Sequence, residues 1–179
     1  MKTPAPCETG LMQRRTLLKL GVASATVLVL AGGAAALMEP GLTGGRLSAS
    51  GREVFSAVGR AVLDKSIPAD DGARQIALNG LLTRIDTLVT GLPPHAQAEL
   101  SQLLSLLASS AGRRTLAGLG QPWADASTTD IQQALQGMRL SNLALRQQAY
   151  GALHDITASA YFSDEATWSL LGYPGPVTI

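Results

Sequence analysis

Only one cysteine, Cys7, occurs in the 179 residues. It precedes the first apolar run, so the chain beyond that run has no disulfide and no thiolate ligand to offer. A lipoprotein anchor needs a cysteine just after such a run, and this position does not supply one. Aromatic residues are scarce, at 4%, although hydrophobic residues make up 46%. The core must therefore be built from Leu, Ala, Val and Ile, which favours close-packed helices over a β-sandwich. No segment alternates as a half-buried strand would, and no repeat of fixed period is present. A basic surplus is missing too. From Leu37 onward ten Lys and Arg face twelve Asp and Glu, a net charge of −2. That balance gives no drive for non-specific nucleic-acid binding, which depends on neutralising phosphates.

The basic residues that remain are concentrated at the start. Gln13-Arg14-Arg15-Thr16-Leu17-Leu18-Lys19 places two adjacent arginines before apolar residues and a closing lysine. An uncharged run, Leu20 to Leu30, follows, and then the small residues Ala31-Gly32-Gly33-Ala34-Ala35-Ala36. A positive segment, an apolar run and an A-x-A site form the pattern of an export signal. The paired arginines mark the twin-arginine route. Residues 1–36 are accordingly read as a twin-arginine signal. Arg14, Arg15 and Lys19 are its translocase-recognition residues, and Ala34 and Ala36 its cleavage site. The alternative is a retained anchor, since Gly21 to Met38 carries no charge and approaches the minimum spanning length of roughly 17–20 residues. The expected location is the periplasm, with association to the inner membrane if the anchor is kept. Twin-arginine export carries folded proteins, often with a cofactor bound. A small domain without cysteine has no evident need of that route, so the need would belong to a partner.

Residues 37–49, with Pro40, Gly41, Gly44 and Gly45, read as a flexible linker. Residues 50–179 read as an all-α domain, a small bundle of about five helices. Ser50 is the expected cap of a first helix that ends at Ile67-Pro68. Asp70-Asp71-Gly72 turns into a second helix with Ile76, Leu81, Leu82, Ile85, Leu88 and Val89 on its apolar face, stopped by Gly91. Pro93-Pro94 opens a third, striped by Leu100, Leu103, Leu104 and Leu107. A short helical piece follows between Gly112 and Gly120. Thr129 with Gln132 suggests a capping box for a helix to Leu140. The last long helix spans 142–161, with Leu143, Ala149, Tyr150, Leu153, Ile156 and Ala160 inward. The rest, from Phe162, reads as an extended aromatic tail.

Candidates for chemistry are few. His95 and His154 are isolated, and Asp155 beside His154 points to a different part of a helix surface. Asp70-Asp71 is explained by the pull of a helix N-terminus on carboxylates. Gly41, Gly44 and Gly45 lack the strand and Gly-Lys-Ser/Thr context of a phosphate loop, and Gly118 with Gly120 lacks a dinucleotide fingerprint. Arg113-Arg114 reads as an exposed basic pair. No catalytic, metal-binding or cofactor-binding residue is assigned. Tyr161, Phe162, Trp168 and Tyr173 are four of the seven aromatic residues and gather in the last nineteen positions. They either lock the tail onto the bundle or anchor a partner. Tyr161, Trp168 and Tyr173 are the candidate partner contacts, because such residues dominate interface hot spots.

Three stretches together resemble the small subunits of membrane-associated flavoprotein dehydrogenases, the gluconate 2-dehydrogenase subunit 3 type. They are the Arg14-Arg15 leader, Ile67-Pro68-Ala69-Asp70-Asp71-Gly72-Ala73, and the ending Tyr161-Phe162-Ser163-Asp164 with Trp168 and Leu171-Gly172-Tyr173-Pro174-Gly175-Pro176. Between about Leu81 and Leu140 the likeness is only in helical character. The resemblance implies a non-catalytic subunit that carries no cofactor of its own. It would bind a large FAD-containing dehydrogenase of the glucose-methanol-choline type and escort it, folded, through the twin-arginine translocase. A multihaem cytochrome is a further partner in some such complexes. No cysteine remains here for any disulfide between such subunits. The alternative expectation is a stand-alone periplasmic helical protein with a binding or structural role. A third is an enzyme gathering His154, Asp155 and Arg146 in one pocket.

Overall fold

The computed structural model describes residues 39–175. The leader positions Arg14, Arg15, Lys19, Ala34 and Ala36, and the tail from Pro176, lie outside the described residues. The architecture is an all-α bundle, as composition implies. Five long helices form it: α1 (Ala49–Val62), α2 (Asp71–Thr90), α3 (Pro94–Ala108), α4 (Thr128–Arg139) and α5 (Ala144–Phe162). α1 lies at the centre and packs against the other four. Its inner face, Val54, Phe55, Ala57 and Val58, is essentially sealed from solvent. Gly59 lets α2 come close, since a Cβ there would stand 2.8 Å from Leu81 Cδ2.

The segment expected to be a linker is structured. Leu42–Thr43 (β1) pairs antiparallel with Arg46–Leu47 (β2), in register Leu42 to Leu47. Gly44 and Gly45 both adopt positive φ, 59° and 75°, as a two-residue hairpin turn requires. Leu42 and Leu47 are buried. The Gly41 amide donates to Ser101 O at 3.3 Å, and the Leu47 amide to Asp86 Oδ1 at 2.8 Å. The same carboxylate takes Arg52 Nη1 at 2.7 Å, so one aspartate on α2 ties the hairpin to α1.

Caps fall slightly earlier than expected. Ser48, not Ser50, caps α1 through the Gly51 amide at 3.2 Å. That helix stops at Val62, five residues before Ile67-Pro68, because Leu63 to Ile67 closes in tight turns. Asp70 caps α2 through Ala73 N at 2.9 Å. Ser127, with Asp130 three residues on, forms the reciprocal cap of α4. Gln132, expected to serve there, instead donates to Ala61 O at 3.1 Å and joins α4 to α1.

Between α3 and α4 a single turn, Ser110–Gly112, runs into a π-helical turn, Arg113–Ala117, ended by Gly118 at φ 77°. Trp123 follows in irregular backbone and is the largest fully buried side chain. Its Nε1 donates to Leu107 O at 2.8 Å, and Arg60 Nη2 donates to its carbonyl at 3.2 Å. Two side chains depart from the expected apolar faces, for Ile76 (75% exposed) and Leu143 (64%) point to solvent. Arg113, expected as half of an exposed basic pair, is instead buried (8%) with its Nε unpartnered. The tail is not extended throughout, for Glu165–Leu171 forms a 3-10 helix. No helix among the described residues is long and apolar enough to cross a membrane.

Candidate functional site

The fold brings together two stretches nearly a hundred residues apart. Ser66, Ile67 and Pro68 lead into α2, and Tyr161 to Leu170 closes α5 and the 3-10 helix. Tyr161 Oη donates to Ser66 O at 2.7 Å. Arg84, on α2, donates from Nε to Ala160 O at 2.8 Å and from Nη1 to Asp164 Oδ2 at 3.0 Å. The arginine thereby satisfies a carbonyl at the end of α5 and holds the acid that caps the next element. Asp164 Oδ1 accepts from Ala166 N at 3.1 Å, and Thr167 Oγ1 donates to Asp164 O at 2.7 Å. On the other side, Arg74 Nε and Nη2 donate to Pro68 O and Ala69 O at 3.1 and 2.6 Å, fixing the turn before α2.

Between these stretches lies a depression of about 650 Å³, lined by Ile67, Pro68, Ile76, Tyr161, Thr167 and Leu170 among others. Two of its apolar residues stand open, Ile76 at 75% exposed and Leu170 at 56%, and Lys65, Arg84 and Asp164 line it as well. Leu171 and Tyr173 are also exposed. Trp168 is half-buried. Its Nε1 donates to Phe162 O at 3.0 Å and its ring lies 5.3 Å from that of Tyr173, tilted by 60°. Gly172, at φ 68°, ends the 3-10 helix and turns the chain so that the two rings meet.

No family model, curated protein or solved structure matches this chain.

Of the three aromatic contacts expected from sequence, Trp168 and Tyr173 stand together at the surface, whereas Tyr161 is buried. Burial pushes the Tyr161 phenol above its ordinary range, with Arg84 opposing and Asp164 reinforcing that shift. Its ring serves the interior, edge-on to Phe162 with centroids 5.2 Å apart. Ile76 and Leu170 were missed by sequence reasoning. Ile76 falls on the helical period of the α2 apolar face, and only the position of the neighbouring elements shows that nothing covers it.

The remaining candidates are dispersed. His95 is exposed. His154 Nδ1 does reach Asp155 Oδ1, at 3.0 Å, although the two are sequence neighbours. The His154 ring stacks on Tyr150 with centroids 5.4 Å apart. Arg146 is elsewhere, lining a separate cleft without either residue, so the three do not share a pocket. Asp71 pairs with Arg74 at 3.2 Å on the surface. Among the described residues no group of His, Cys, Asp and Glu could hold a metal ion.

Proposed function

We propose that this chain is a non-catalytic small subunit and export escort. It binds a folded FAD-dependent dehydrogenase of the glucose-methanol-choline type and carries it through the twin-arginine translocase into the periplasm. The flavin belongs to the partner, and a multihaem cytochrome is a further candidate partner. One observation carries the reading. Two of the three stretches on which the resemblance rests meet, Ile67 and Pro68 from one and Tyr161 and Asp164 from the other, around a depression that leaves Ile76 and Leu170 uncovered. Large exposed apolar side chains gathered on one face are characteristic of a surface that meets another protein. Arg14, Arg15 and Lys19 supply the address for a folded cargo.

The test is genetic and biochemical. Arg14→Lys with Arg15→Lys is expected to abolish export of this chain and of its partner together. Undiminished periplasmic activity of the flavoprotein in that double mutant overturns the escort role. A pull-down with the chain as bait is expected to bring a stoichiometric, yellow partner that lacks a signal sequence. A colourless monomer points instead to a stand-alone periplasmic protein.

A further inference from the structure

A second cleft, of about 490 Å³, shares no residue with the depression between Ile76 and Leu170. It is lined by the loop Ala117 to Gln121, by Asp130, Gln133, Ala134 and Gly137 of α4, and by Arg146 of α5. Two opposite charges line it without pairing with each other. Arg146 is fixed by one nitrogen only: Nε donates to Leu116 O at 2.8 Å. Its Nη atoms make no hydrogen bond among the described residues, and Nη2 lies beside the bare backbones of Gly118 and Gly137. A Cβ at either glycine would sit 3.6 or 3.8 Å from that nitrogen. Asp130 is likewise held locally. Oδ2 accepts from Ser127 Oγ at 2.7 Å and from Gln121 Nε2 at 2.8 Å, and the Ser127 backbone amide also stabilises the carboxylate, which keeps its charge facing the cleft. The backbone amides of Gly120 and Gln121 are also without an acceptor there.

We infer that this cleft binds a small zwitterion of the α-amino-acid type, its carboxylate on the Arg146 guanidinium and its ammonium on Asp130. The guanidinium edge presents donors in the planar fork that a carboxylate matches. The local anchors at Leu116, Ser127 and Gln121 orient both groups before any ligand arrives, so little ordering cost remains. The acid in the same lining disfavours a multiply charged anion such as phosphate, which would gain one attraction and meet one repulsion. The volume falls within the range of small-molecule sites, about 300–1,000 Å³. Ala117, Leu119 and Ala134 give the lining an apolar part, suited to a small or aliphatic side chain.

The experiment is an amide-resolved NMR titration of the full chain with glycine, L-alanine and L-leucine, using acetate and methylammonium as single-charge controls. Amino acids at millimolar concentration are expected to move the amide signals of Gly118, Gly120 and Gly137, and each control to bind at least about tenfold more weakly, the effect of losing one charge-assisted hydrogen bond. Gly137→Leu fills the cleft from a helical position where glycine is disfavoured, so this variant should fold at least as stably while losing the response. Asp130→Asn should level the amino acids with acetate. Absence of any shift, equal binding of acetate and amino acids to the parent chain, or an unchanged response in Gly137→Leu each overturns the inference.

Discussion

At the residue scale the two most informative side chains are aromatic, and each has its polar atom satisfied by a distant carbonyl. Trp123 sits in irregular backbone yet fills the centre of the core, with its indole nitrogen on Leu107 O. Tyr161 is the same device at the junction of α5 with the turn before α2. Tyr161→Phe removes the bond to Ser66 O and should cost about 1 kcal/mol in a urea titration. It should also change the alkaline limit of stability. The folded-state phenol is raised above its ordinary value, chiefly by burial, so its contribution is fully present below the unfolded value of about pH 10. That contribution is lost as pH rises from there through the folded value, because the unfolded chain gives up the proton first. The parent chain should therefore lose stability above about pH 10 more steeply than Tyr161→Phe, and equal slopes would remove Tyr161 as a cause.

At the scale of elements the hairpin is the informative case. Its glycines have two different duties. Gly44 and Gly45 supply the positive φ of the turn. Gly51, in the first turn of α1, supplies absence: a Cβ there would lie 2.4 Å from Gly41 O, which is backbone and cannot swing aside. Gly51→Ala should consequently displace the hairpin from α1, seen as loss of hydrogen-exchange protection at Leu42, Leu47 and Ser48 while the core of α5 stays protected. Protection unchanged throughout would show that the backbone relaxes without losing the pairing. The helices were legible in the sequence because leucines recur at helical spacing and because Gly91 and Pro93-Pro94 punctuate them. The hairpin was not, although Gly44-Gly45 between Leu42-Thr43 and Arg46-Leu47 is a two-residue turn signal. Two strands of two residues carry too little alternation to register, and their burial depends on α3 being there to receive Leu42. The 3-10 helix was obscured for a related reason. Its caps are Asp164, held by Arg84 from eighty positions upstream, and Gly172. Leu143 and Ile76 fit a helical period, but exposure is decided by what packs alongside.

For the whole molecule the matter is which apolar surface remains uncovered once the core is complete. Ile76 and Leu170 face the same depression and contribute little to the core, so Ile76→Asp with Leu170→Asp should leave the thermal midpoint within a few degrees. The same double variant is expected to lose capture of the flavoprotein by at least tenfold, as buried charge at an interface centre costs about 2 kcal/mol or more. Retained capture would move the docking surface elsewhere, such as the apolar groove of about 420 Å³ lined by Leu100, Leu103, Leu145 and Ile156. The candidate docking face was half legible. Trp168 and Tyr173 could be singled out because aromatics are so scarce in this chain. The depression beside them joins Leu170 to Ile76 of α2, a distant part of the sequence.

Scarcity of aromatics has an optical consequence. There are two tryptophans in the chain, and they occupy opposite regimes: Trp123 is 1% exposed, and Trp168 lies half-buried beside exposed Tyr173. Each is thus an intrinsic fluorophore for a different event. In Trp168→Phe the remaining emission should be blue-shifted and respond only to unfolding. In Trp123→Phe it should be red-shifted and respond to whatever settles on the aromatic pair Trp168 and Tyr173. Identical spectra from the two variants would contradict the placement of both rings. Otherwise the protein reports its own integrity and its own occupancy at two separable wavelengths, with no dye attached.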